Sequence, residues 1–133
     1  MNIDQEYLKG LLEAFEAADS PTTDIEELKS RNYDYRDVKF LFHIKLLEDQ
    51  GLVRADAGNR LGYVRGADGI VSWSVVPLRL TAKGHEFIET LRNKDVWEAI
   101  KSNFKDASLG SLLNISKELF EGYLKKKISS LID

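Results

Sequence analysis

One short stretch constrains this chain more than any other. "HIKLLEDQGLV", His43 to Val53, is a helical pattern that stops at a glycine and passes at once into an apolar pair. Gly51 fits the left-handed position just past a helix end, where a side chain with a Cβ is strained. Leu52 is then expected to fold back on Leu47, the contact that accompanies such a cap. A helix is ended and a strand launched at a fixed angle.

What flanks this corner sets the rest. Ile3, Tyr7, Leu8, Leu11, Leu12 and Phe15 recur at helical spacing and predict an amphipathic helix over residues 3–18. Thr23 with Glu26 forms a capping-box pattern for a short second helix that turns Ile25 and Leu28 inward. Asp34 is expected to cap a third helix running to about Gln50, with Tyr33 and Val38 as a hydrophobic staple. Val38, Leu41, Ile44 and Leu47 are its expected core face.

Residues 52–80 change character. "LVRAD" and "IVSWSVVPLRL" have strand composition, "LGYVR" adds a shorter candidate, and Asp68-Gly69 signals a hairpin turn. The alternation slips at Val75-Val76 before Pro77, which predicts a bulge or an edge. Beyond, Thr81 opens a helix with Phe87, Ile88 and Leu91 buried. Asp95 with Glu98 opens another, carrying Val96, Trp97, Ile100 and Phe104. A last amphipathic helix bears Leu112, Ile115, Leu119, Tyr123, Leu124 and Ile128.

The expected fold is therefore α+β and mostly α: a winged helix-turn-helix, three helices plus a β-hairpin wing, with additional C-terminal helices. The 133 residues suit a single domain, with residues 1–80 as winged-helix core and 81–133 as a helical extension packing on it. In that arrangement the third helix enters a major groove and the hairpin reaches the flanking backbone.

Specific residues carry a resemblance. "HIKLLEDQGLV" is similar to the end of the recognition helix in many bacterial winged-helix repressors, and "LRLTAKG" to the segment that closes their wing. "HIKLLEDQGL", "LTAKGHEF", Arg92, Trp97 and "YLKKKI", in that order, resemble a bacterial and prophage family known as domain of unknown function two-five-one-three. Gln50 stands where that family leads one to expect alanine. The resemblance implies a fold, and a fold does not fix a function.

Two functions compete, and the resemblance to repressors and the arginines of the wing favour the first. The first is a DNA-binding protein, resembling a transcription regulator and prophage-derived. Arg36, Lys39 and His43 share a face of the third helix, and Arg54, Arg60 and Arg65 lie on the wing, where arginines grip phosphates or the minor groove. The second is a winged-helix module for protein partners. Residues 1–30 hold eight acids and two bases, the remainder is net +3, and the whole is −3, which favours the second reading. The long final stripe suggests a homodimer through the last helix.

Other chemistry finds no pattern. There is no cysteine, two histidines make a zinc site improbable, and "GYVRGADG" lacks the features of a phosphate loop. His85 is expected to fasten the wing exit to its helix. Trp73, Trp97, Tyr63 and Tyr123 are read as packing rather than a ligand cage. With no nucleophile–base pair, cofactor loop, membrane span or signal peptide in the sequence, the expectation is a cytoplasmic protein that is not an enzyme and carries no cofactor.

Overall fold

The computed structural model describes residues 1–58 and 60–132. The chain is α+β and mostly helical. Its elements are α1 (Gln5–Glu16), α2 (Ile25–Ser30), α3 (Val38–Asp49), β1 (Val53–Ala55), β2 (Tyr63–Arg65), β3 (Val71–Trp73), β4 (Leu78–Leu80), α4 (Ala82–Arg92), α5 (Lys94–Asn103) and α6 (Leu109–Ile132).

Helix starts follow the acids and amides that satisfy free backbone donors. Asp4 opens α1 by accepting the Tyr7 N–H at 3.0 Å. At α2 the capping residue is Asp24, which accepts the Glu27 N–H at 2.9 Å, not the expected Thr23. Thr23 is held elsewhere. Its N–H and C=O exchange 2.8 Å bonds with Leu78, an antiparallel bridge that fixes it as extended chain. A similar shift occurs at α5, where Asn93 caps in place of Asp95 by accepting the Val96 N–H. Phe104 lies just past the end of that helix and is partly exposed. Thr81 caps α4 as expected, accepting the Gly84 N–H at 3.0 Å.

The start of α3 departs further. Asp34 does not cap it. Its carboxylate accepts the Arg36 N–H at 2.9 Å, and its carbonyl accepts the Asp37 N–H, so a separate turn precedes the helix. Val38 is 72% exposed, and no staple forms. Tyr33 packs edge-on against Tyr7 instead. The buried face is Phe40, His43, Ile44 and Leu47, rotated from the expected stripe, with Leu41 only half-buried. Phe40, the larger side chain, takes the centre and Val38 is left outside.

At the other end, α3 stops as the glycine requires. Gly51 has φ +70°, its N–H bonds the Glu48 carbonyl at 2.9 Å, and the Leu52 N–H bonds the Leu47 carbonyl at 2.8 Å. These are the two bonds of a Schellman cap, and Leu47 and Leu52 are both fully buried. A Cβ added at Gly51 meets nothing within 4 Å, so only the dihedral penalises substitution. Gly51→Val is therefore expected to lose about 1–3 kcal/mol and Gly51→Asn less, since asparagine tolerates this region better. Urea midpoints of the two variants check this. Equal stability of wild type and the valine variant would refute the cap.

The strands form two ladders. β1 pairs antiparallel with β4, Val53 opposite Leu80 and Ala55 opposite Leu78. β2 pairs with β3, Tyr63 opposite Trp73. The long apolar segment breaks over residues 74–77, where the expected slip before Pro77 lies. The Ser74 N–H bonds the Gly62 carbonyl and the Asp56 N–H bonds that of Pro77, stitching the ladders together. Gly69, with φ +82°, turns the distal hairpin. With the Thr23 bridge, β4 has extended chain on both sides.

One cluster of buried side chains unites these elements, from Leu8, Leu11 and Leu12 of α1 through Phe40 and Ile44 to Phe87, Ile88, Ile100 and Leu112. Each such burial contributes about 1.5–3 kcal/mol. Outside it, acids of α1 meet bases of later elements: Asp4 with Lys39, Glu6 with Lys101, and Glu16 with Arg92. His85 is exposed and turns toward Glu16 of α1, not to the strand exit.

Candidate binding face of the third helix and hairpin

Rotation of α3 redistributes the residues proposed from sequence. His43 is fully buried, so it is not a nucleic-acid contact. Its Nε2 accepts the Asp4 N–H at 3.0 Å, and its Nδ1 lies 2.7 Å from the Lys39 carbonyl, to which it donates. That pairing defines the neutral tautomer with the proton on Nδ1. Burial, the leading cause, holds its pKa below the usual 6.5. The ring packs on Tyr7 and Phe42. His43 thus ties the start of α1 to α3.

Lys39 also turns to α1. Its Nζ lies 2.7 Å from Asp4 Oδ2 and 5.0 Å from the centre of the Tyr7 ring. The Lys39 hydrogen bond, with the Tyr7 N–H, holds the Asp4 carboxyl below its ordinary pKa.

Arg36 remains outside, forked onto Asp34 with contacts of 2.7 and 3.0 Å. This pairing brings the Asp34 pKa down to about 2. Arg65, on β2, donates to the Gly69 carbonyl at 3.1 Å. The two arginines share an open cleft of about 400 Å³ with Tyr35, Val38, Leu41 and Trp73. Trp73 closes its floor, packing edge-on against Tyr35 and Phe40 and tilted against Tyr63, the packing role expected for it.

The remaining candidates lie apart. Arg60 lines a shallow hollow at the far end of α3 with Glu48, Asp49, Leu61 and Tyr63. Arg54 is on β1 opposite Arg79, at the base ladder rather than the hairpin tip. The structure therefore brings Arg36 and Arg65 together and separates them from Lys39, His43, Arg54 and Arg60.

Sequence reasoning missed the outward line of α3: Val38, Phe42, Lys45 and Asp49, spaced four, three and four apart. Val38, Lys45 and Asp49 are exposed and Phe42 half-buried. Across the cleft the hairpin presents Arg65, Val71 and Trp73, while Val64 and Ile70, exposed by 59% and 64%, lie outside its lining. The signal was present but ambiguous, since "VKFLFHIKLL" is apolar on nearly every face. Around this line, Arg36, Lys45, Arg60 and Arg65 are offset by Asp34, Asp37, Glu48, Asp49 and Asp68.

The chain belongs to the family described as "Hypothetical protein (DUF2513)", which matches residues 2–110. It is also similar to an "Uncharacterized protein" of Haemophilus influenzae, 27% identical over 88 residues that span 66% of this chain and 67% of that protein. No solved structure matches it significantly. No helix among the described residues is long and apolar enough to cross a membrane.

Proposed function

We propose that the chain is a winged-helix binding module, not an enzyme, whose α3–hairpin face takes another protein. The winged-helix reading is supported by element order: helix, single bridge at Thr23, two helices, then β1 and β4 enclosing a hairpin, with β4 between Thr23 and β1. The observation that carries the protein-binding reading is the cleft between α3 and the hairpin, where exposed Val38 and half-buried Leu41, Val71 and Trp73 lie in a nearly charge-balanced surround. Exposed apolar groups clustered on one face mark interaction sites. The fitting partner presents apolar side chains to Val38, Leu41 and Val71 and a carboxylate to Arg65, whose guanidinium has no acidic partner among the described residues. Cytoplasmic residence, expected from the sequence's lack of a span or signal-peptide pattern, and a prophage setting, implied by the resemblance, go with this reading.

A second reading, DNA binding, is favoured by one observation. Arg36 and Arg65 converge at the N-terminal end of α3, the end that contacts base edges in helix-turn-helix proteins.

Two measurements separate them. A photo-crosslinker at Val38 is expected to trap one discrete protein in cells of the native host, with the adduct lost on Val71→Asp. Titration against mixed genomic fragments is expected to give no retardation at low salt. If retardation occurs, falls steeply with salt, and Arg65→Ala flattens the log–log slope by roughly one unit, the DNA reading replaces ours.

A further inference from the structure

Among the described residues, no side chain of α6 beyond Ser116 is buried. The helix has 24 residues, about 36 Å at 1.5 Å per residue. Its buried residues, Leu109, Leu112 and Ser116, all lie in the first third. Beyond them Leu119, Tyr123, Leu124, Ile128, Leu131 and Ile132 are exposed, the last two by 76% and 78%. The family match itself ends at residue 110, at the start of α6.

Beside the exposed stripe runs an open groove of about 440 Å³ between α4 and α6. Phe87, Leu113, Phe120 and Leu124 line it, with Lys117 and Glu121 among its charged residues. Lys117, Glu121 and Lys125 follow one another at four-residue steps, so they form one charged flank on that side of α6.

We propose that a second copy of this chain occupies the groove, its α6 antiparallel to the first about a two-fold axis near Tyr123. In an antiparallel pair, like flanks face each other. With the axis at Tyr123, Glu121 of each copy meets Lys125 of the other, giving two opposite-charge pairs from one sequence feature. The same register carries Ile128, Leu131 and Ile132 of each copy over the other's groove, covering the most exposed apolar residues of the helix. A parallel pairing instead sets this flank against the side bearing Leu119, Lys126 and Ser130, where no acid meets Lys117 or Lys125. Self-complementarity of one patch is what a two-fold interface requires.

The test is a charge exchange on the full chain, followed by sedimentation at high micromolar concentration. Wild type is expected to be a dimer. Glu121→Lys and Lys125→Glu singly should each weaken it by roughly tenfold or more, since each leaves two like-charge contacts. The double exchange should restore dimerisation. A monomeric wild type, or a double variant no tighter than the singles, overturns the proposal. Because the chain has no cysteine, orientation is tested separately by disulfide formation. Leu124→Cys, on the groove face one residue from the axis, should cross-link two copies. Leu131→Cys, on the same face, should not, as the two sulfurs would be held about 24 Å apart along the axis. Efficient cross-linking through Leu131→Cys would exclude the antiparallel arrangement.

Discussion

Gly84→Val is expected to abolish the cooperative thermal transition, and Gly84→Ala to cost about 3 kcal/mol or more. The cause is space rather than dihedral angle. A Cβ built at Gly84 lies 2.1 Å from the Leu52 carbonyl oxygen and 3.1 Å from its carbon, both backbone atoms. That oxygen cannot withdraw freely, because it accepts the Thr81 N–H at 3.0 Å. Thr81 in turn caps α4 through the Gly84 N–H and donates its hydroxyl to the Gly51 carbonyl at 2.6 Å. Moving α4 outward thus breaks the junction where β1 begins and β4 ends and uncovers Leu52 and Leu80. Overpacking of a well-filled site commonly costs 1–3 kcal/mol, and a backbone obstacle belongs at or above the upper end. Against a total of about 5–15 kcal/mol this is decisive for valine. Circular dichroism melts of both variants check it. An alanine variant within about 1 kcal/mol of wild type would show that the helix and corner can separate cheaply.

His43→Phe is expected to cost on the order of 2–3 kcal/mol and to change the pH profile. Phenylalanine fills the space but cannot accept the Asp4 N–H, and an unpaired buried donor costs about 1–3 kcal/mol, beside loss of the Lys39 carbonyl contact. The pH effect has a definite sign. Burial depresses the folded-state pKa of His43 below 6.5, so the unfolded chain binds the proton more readily. The contribution is fully present above pH 6.5 and is lost as pH falls through the lowered folded-state value. The charged groups facing the ring are Asp4 and Lys39, with Tyr7 against its plane. Asp4, also depressed, acts in a separate window beginning below 3.8. Denaturation midpoints across pH 4.5–7.5 should decline toward acid in wild type, with a distinctly shallower decline in His43→Phe. Parallel profiles would remove His43 as the source.

Features governed by neighbouring residues were legible in the sequence. Gly51, the Thr81 cap, the Asp68-Gly69 turn and the break before Pro77 depend on contacts a few residues away, and each lies where expected. Features decided by distant chain were not. Thr23 has the chemistry of a cap, but its bridge to Leu78 claims its backbone and passes the role to Asp24. His43 looks like a surface base until the start of α1 arrives to offer its Asp4 N–H. The phase of α3 was underdetermined because Val38, Phe40, Leu41 and Phe42 provide nearly equal apolar surface. Tertiary packing, with Trp73 and the rest of the core cluster, selects Phe40 for the interior. The candidate site inherited that error: of the six proposed contacts Arg36 and Arg65 came together, His43 turned inward, and Val38, expected in the core, faces outward.

The acidic first segment has an electrostatic consequence for any ligand. Asp4, Glu6, Glu16 and Glu27 engage Lys39, Lys101, Arg92 and Arg31. Individually such exposed pairs contribute about 0–1 kcal/mol to stability. Collectively they act as tethered counterions. A polyanion approaching these bases would displace carboxylates anchored to the same molecule, not mobile salt ions, and would forgo the entropy of counterion release that normally drives such binding. Its affinity would follow added salt less steeply than a count of lysines and arginines implies, and α1 would serve as a built-in competitor whose effective concentration dilution cannot lower.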